Sequence, residues 1–332
     1  MKIAIVKLSA LGDIVHAMLV LQFIKKHNQN IEIDWIVESS YKDLLYFHPD
    51  IKMVHVVNFK SVKKKKSFFL LLNELAKIRK VGPYDLVIDM QGLIKSALIS
   101  RLIPSSITLG FDKKSIRESI ASVFYNKTFK YPYDKNVVER NLELIKFSLG
   151  LNCVKEDIGN KASFLYVDKK YLTTNLSSIK KNILLVPGAS FEAKIYPVMK
   201  FSQLVNKIDA NFLVVWGSPA EKKIAIEIKA LSPNIKVMER LTLNSLISLI
   251  SQVDLVIGSD TGPTHMAWGL NIPSITLYGL TPGYRNSYAT SINRVIESNS
   301  KVDPLKINKN DFSIKDIAVN DIVKISNELL KD

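Results

Sequence analysis

At 332 residues, 47% of them apolar, the chain is long enough for two domains of ordinary size, each with its own core. A single cysteine, Cys153, excludes an internal disulfide framework, no apolar stretch approaches the roughly 20 residues of a membrane span, and residue 1 leads into an apolar run instead of a signal pattern, so a cytoplasmic protein is expected. A net charge of +15 and a pI near 9.5 call for an anionic partner; with no zinc-knuckle spacing, helix-turn-helix or aromatic RNA-binding signature, an acidic membrane or a phosphorylated substrate fits better than nucleic acid.

Residues 2–8 read as a β-rich strand, 9–12 as a small-residue turn, and Asp13 opens a helix to about residue 27, the usual start of a parallel α/β domain. Gly12 is the turn's one glycine, so it is no G-x-G-x-x-G fingerprint and a nicotinamide enzyme is disfavoured. Asp13 sits where the carboxyl ends of strands place functional residues, and helix capping is its alternative role. Strands follow at 31–37 and 53–57. In KSVKKKKSFFLLL (60–72) four lysines run into Phe68 and Phe69. That suits an anionic membrane surface, each nearby lysine adding about 1 kcal/mol, or else a solvated loop ahead of a core helix.

A strand at 84–90 ends in Asp89-Met90-Gln91-Gly92, and 93–102 is a helix holding Lys95 and Arg101. Arg117, in GFDKKSIRESIASVFYNK (110–127), has the planar fork that binds a carboxylate through two parallel hydrogen bonds; its alternative is a surface pair with Glu118. The periodicity of 137–149 predicts the helix that closes the first domain. From 151 to 181 the composition is mixed, and the linker falls in the later half.

A new sheet begins at 182–186, and its exit, PGASFEAKIYP, carries Ser190 and Lys194. A lysine there reaches into a cleft between domains or stands in solvent. The strand at 211–216 runs into Gly217-Ser218-Pro219-Ala220-Glu221, where Glu221 either accepts from two vicinal hydroxyls or complements a helix dipole. A strand at 236–238 and a helix at 243–251 precede LVIGSDTGPTHMAWGLNIPSITLY (255–278), which reads as strand, tight loop, helix, turn and strand. Its helix starts after Asp260, Thr261 and Gly262. Unpaired amides at that N-terminus favour a phosphate by roughly 0.3 to 1 kcal/mol per charge, so the loop suits a diphosphate; simple capping by Asp260 and Thr261 is the alternative. Tyr284 and Arg285 flank this site in a loop, and 314–330 reads as an amphipathic helix.

SDTGPTHMAWGLNIPSITLYG closely resembles the donor-binding segment of the ADP-heptose:lipopolysaccharide heptosyltransferases of glycosyltransferase family 9. IVKLSALGDIVHAM resembles the same family, on the side of heptosyltransferase I and not II, and so do DMQGLIKSALISR and residues 110–127; together the matches span nearly the whole chain. The resemblance implies an α/β protein of two Rossmann-like doubly wound domains facing a central cleft, the glycosyltransferase B architecture. Its acceptor-binding domain is expected at 1–165, a linker at 166–181, the nucleotide-sugar domain at 182–313, and a last helix at 314–332 packing back on the first domain.

The resemblance also implies the reaction: inverting transfer of L-glycero-D-manno-heptose from ADP-heptose to Kdo of Kdo-lipid A, at the cytoplasmic face of the inner membrane. Asp13 is then the general base, and Lys194 with the Thr261/Gly262 helix end stabilises departing ADP. Ser190, Glu221, Asp260, Thr261, Gly262 and His265 are donor-side candidates, and Lys7, Ser9, Gly12, Lys95 and Arg117 acceptor-side ones. Ala189 departs from relatives that carry a hydroxyl there. His16, one helical turn after Asp13, is a candidate to orient it. No D-x-D pair or histidine cluster stands out, so a metal-independent reaction without a cofactor is expected. The alternatives are a nucleotide-sugar epimerase of the same fold, and a non-catalytic basic protein binding membrane or nucleic acid.

Overall fold

Strand β1 (Lys2–Val6) is buried from Ile3 onward, the continuous apolar run that a strand covered on both faces requires. It begins the first of two units in the computed structural model, Met1–Tyr166 and Val167–Asp332, which describes residues 1–167 and 175–331. Part of the expected linker, 168–174, lies outside the described residues. In the first unit β1 is followed by α1 (Leu11–Met18), α2 (Val20–His27), β2 (Glu32–Glu38), β3 (Met53–Val57), α3 (Phe59–Lys65), α4 (Phe68–Arg79), β4 (Tyr84–Asp89), α5 (Ile94–Leu102), β5 (Ser105–Phe111), β6 (Lys127–Phe129), α6 (Val137–Leu149) and the single turn α7 (Glu156–Gly159). Its sheet is fully parallel in the order β3-β2-β1-β4-β5-β6.

Two local readings change. The first helix starts at Leu11, because Ala10 is extended and Asp13, at the third helical position, accepts the Ala10 amide at 3.2 Å; only Leu19 separates it from α2. The lysine run 63–66 is mostly helical. Asn58 caps α3 through the Ser61 amide (3.2 Å), Lys66 ends it in the left-handed conformation (φ 48°), and Ser67 caps α4 through the Leu70 amide (3.3 Å).

The second unit holds β7 (Asn182–Val186), α8 (Val198–Lys207), β8 (Asn211–Val214), α9 (Pro219–Leu231), β9 (Lys236–Val237), α10 (Leu243–Ile250), β10 (Leu255–Ser259), α11 (Gly262–Gly269), β11 (Ser274–Tyr278), α12 (Gly283–Asn286), β12 (Asn293–Glu297) and α13 (Val319–Leu329). Its parallel order, β12-β11-β10-β7-β8-β9, is the first sheet's order over again. In each sheet the connection reverses direction beside the opening strand, between β1 and β4 and between β7 and β10. Ligands of open α/β sheets bind at the carboxyl ends of strands flanking such a point.

The last helix departs from expectation. Ile314, Ile317, Val319 and Ile322 enter the second unit's core with Phe201 and Leu204, and α13 packs on α8 and β11. The Tyr196 hydroxyl and the Lys200 ammonium donate to the Ile317 carbonyl at 3.0 and 2.8 Å. The apolar stripe read as a contact for the first domain is thus spent on the second unit.

Candidate active site

In the second unit, β10 delivers Asp260 to the sheet's carboxyl end, its side chain only 10% exposed. Four donors converge on it: Lys194 Nζ (2.6 Å) and Thr281 Oγ1 (2.9 Å) on Oδ2, His265 Nε2 (3.0 Å) and Tyr278 OH (3.2 Å) on Oδ1. Burial pushes the carboxyl up, but the His265 hydrogen bond and the Lys194 charge outweigh it and hold Asp260 well below the usual carboxylate range. Burial, with the negative charge of Asp260 added to it, drives the Tyr278 phenol well above its ordinary value, so Tyr278 remains a donor. Asp260 and His265, both expected on the donor side, are thereby turned toward each other.

Lys194 closes a short 3-10 turn, Glu192–Lys194, in the exit of β7 and is itself buried. Its bond to Asp260 bridges the exits of β7 and β10, the switch point of this sheet. Next to it α11 begins. Thr261 is its N-cap, Thr264 Oγ1 donates to the Thr261 carbonyl at 2.8 Å, and Pro263 lies in the first turn. The amides from Gly262 onward, as in any first helical turn, have no intrahelical acceptor. A lysine fixed by a carboxylate beside a helix N-terminus is an arrangement fit for an anion.

Glu221 forms a capping box at the head of α9: its Oε2 accepts the Gly217 and Ser218 amides at 2.6 and 3.1 Å, and Ser218 Oγ accepts the Glu221 amide at 3.3 Å. The side chain crosses onto the β7 exit. A Cβ at Gly188 would stand 2.4 Å from Glu221 Cγ, so only glycine lets the carboxylate lie there. Capping therefore uses Oε2, while Oε1 turns toward Gly188 in the same loop as exposed Ser190.

In the first unit the matching point is held by a residue not singled out as functional. Gln91 Oε1, after β4, accepts the amides of Leu8 and Ser9, after β1, at 3.0 and 3.1 Å. Buried Lys7 adds a second tie, donating to the Met90 carbonyl at 3.0 Å. Beneath them Asp89, fully buried, accepts the Gln91 and Gly92 amides (2.8 and 3.1 Å) and the Tyr125 hydroxyl (2.8 Å). Gly12 and Asp13, in the first turn of α1, follow directly on the turn so fixed. Asp13 is exposed, whereas His16 is buried on the core side of α1.

Two acceptor-side candidates behave differently. Lys95 pairs with buried Glu38 at 3.0 Å and lies 4.4 Å over the Phe59 ring, so it is held against the β2 exit. Arg117 is exposed and makes no ion pair among the described residues; Glu118 accepts the Ile94 amide instead. Sequence reasoning missed Gln91, Tyr278 and Thr281 as parts of the site. The DMQG and YGLTPG strings at strand ends were the available signals. No group of three His, Cys, Asp or Glu among the described residues is placed to hold a metal ion, and no described helix is long and apolar enough to cross a membrane.

The model of glycosyltransferase family 9 (heptosyltransferase) matches residues 74–310. Over the full length of both chains the sequence is 40% identical to lipopolysaccharide heptosyltransferase 1 of Campylobacter coli. The chain belongs to glycosyltransferase family 9. Lipopolysaccharide heptosyltransferase 1 of Salmonella typhimurium is 28% identical over 87% of this chain and 92% of its own. The structure of E. coli heptosyltransferase WaaC with ADP-2-deoxy-2-fluoro heptose matches with a TM-score of 0.79 at 24% identity, covering 99% of each chain, which makes the fold glycosyltransferase B. This heptosyltransferase is an enzyme of lipopolysaccharide core synthesis, on the heptosyltransferase I side of its family as its N-terminal motif implied.

Proposed function

We propose that the enzyme transfers L-glycero-D-manno-heptose from ADP-heptose to a hydroxyl of Kdo on Kdo-lipid A, with inversion, as a peripheral protein at the cytoplasmic face of the inner membrane. The observation that carries this reading is the Lys194–Asp260 pair beside the N-terminus of α11. The bound molecule in the WaaC structure, an ADP-heptose analogue, supports the donor.

The chemistry divides between the units. Asp13 takes the proton of the Kdo hydroxyl, its oxygen forms the new bond at the anomeric carbon, and the bond from that carbon to the β-phosphate oxygen breaks. ADP leaves with the electron pair. Lys194 and the first amides of α11 meet the charge that grows on the diphosphate, a contribution realised in the transition state. Glu221 Oε1 and Ser190 bind ribose and phosphate oxygens, while Asp260 and His265 act by holding Lys194 and the loop. Arg117 engages a Kdo carboxylate. Lys7, Ser9 and Gly12 shape the turn under the acceptor, and Lys95 steadies its rim through Glu38.

The test is ADP release. It is expected only when ADP-heptose and Kdo-lipid A are both present, and Asp13→Ala lowers turnover about 10² to 10⁴-fold while ADP affinity holds. Conversion of donor without acceptor, or full turnover by the variant, overturns the reading.

A further inference from the structure

The first unit displays side chains that a folded protein normally hides. Phe68 and Phe69, in the first turn of α4, are 71% and 72% exposed and Leu72 is 46% exposed, while the helix buries Glu74 and Ile78 on its other side. Glu74 accepts the Asn58 amide just past β3 at 2.9 Å. The six residues of α4 before it, about 9 Å of helix, therefore project past the carboxyl end of the sheet. α5 packs against α4 and against the 119–124 turn, which adds Ile120 (63% exposed) and Val123 (74%). Single exposed apolar residues are ordinary, but adjacent phenylalanines this bare are not.

The charge beside them selects the partner. Residues 59–72 hold five lysines and no acid, and Lys63, Lys64, Lys65 and Lys66 are all exposed, without an ion pair among the described residues. Lysine is depleted in the cores of protein interfaces, and a run of like charge opposes a second copy of this chain. Aromatic rings beside cations are the pattern of a surface that settles into anionic lipid.

We propose that the projecting end of α4, with the lysine run and the 119–124 turn, docks on a bilayer containing anionic lipid. The rings of Phe68 and Phe69 enter the boundary between headgroups and acyl chains, and the four ammonium groups meet lipid phosphates. The face lies at the end of the sheet that carries Asp13, so docking brings that end to the lipid; this orientation rests on the acceptor being a lipid, as proposed above.

The full chain is sedimented with vesicles of phosphatidylethanolamine and phosphatidylglycerol (3:1), free of Kdo-lipid A. Binding is expected, and is at least tenfold weaker on pure phosphatidylcholine or in 0.5 M salt. Phe68→Ser/Phe69→Ser is expected to weaken it at least tenfold with an unchanged melting temperature. The same variant should keep wild-type turnover on a deacylated, water-soluble Kdo acceptor and lose it on acceptor in vesicles. Wild-type binding by the double variant overturns the proposal, as does a shift from dimer to monomer with vesicle binding unchanged. If binding follows the two phenylalanines while neither acceptor is turned over, docking stands and the heptosyl-transfer reading fails.

Discussion

Each sheet ends its strand beside the switch point in a buried aspartate, and the two live under opposite electrical conditions. Asp89, the last residue of β4, meets neutral donors, the Ser96 hydroxyl, two amides and a phenol, and burial pushes its carboxyl up. Asp260, just after β10, is nearly as enclosed, yet His265 and Lys194 hold it down. A buried carboxylate that only ties a turn manages with dipoles; one that must aim a cation carries the cation's charge against its own.

The contrast can be broken in three ways. The largest effect is expected from Asp260→Asn, which leaves Lys194 buried without its counter-charge: about 3 to 5 kcal/mol of stability lost by urea unfolding, and turnover lost with it because the ammonium is no longer aimed. Acid should come next. Because the folded Asp260 carboxyl is depressed, its contribution is complete above the unfolded value of about 3.9 and drains away as pH falls below it. Asp89 runs the other way, its raised value favouring the protonated form in the fold. Acid titration of Asp260→Asn should therefore be flatter below pH 4 than that of wild type, and equal slopes would contradict the assignment. The smallest effect is expected for Asp89→Asn, within about 1 kcal/mol of wild type, since its amide oxygen still accepts the Gln91 and Gly92 amides and its NH2 donates to the Tyr125 oxygen in place of the bond that Oδ2 accepted. A loss as large as that of Asp260→Asn would mean Asp89 has a cationic partner after all.

Much of this was legible in the chain. Apolar runs ending in Ser9–Gly12 and in SDTGP give strands and their exits away, the rule that such exits carry chemistry points to Asp13 and Asp260, and the family resemblance singles out Lys194. What pairs with what was not legible. Tyr278 at the end of the neighbouring strand and Thr281 in the loop after it reach Asp260 from 18 and 21 residues on, and Gln91 reaches Leu8 and Ser9 across more than 80 residues, separations that periodicity does not encode. Charge alone left the 63–66 lysines either a membrane-facing run or a solvated loop; the Asn58 cap puts Lys63 to Lys65 in α3, and the Ser67 cap starts α4 behind them. The amphipathic stripe of α13 showed that one face is buried without saying in which core.

The Gln91 amide has a mechanical meaning for the first unit. The turn that leads into α1 and Asp13 is tied to the end of β4 by the side chains of Gln91 and Lys7, and three residues past Gln91 that same segment becomes α5. A nudge delivered to the head of α5 is thus passed to the start of α1 as a rudder follows its tiller, so Asp13 and the wall beside it steer together.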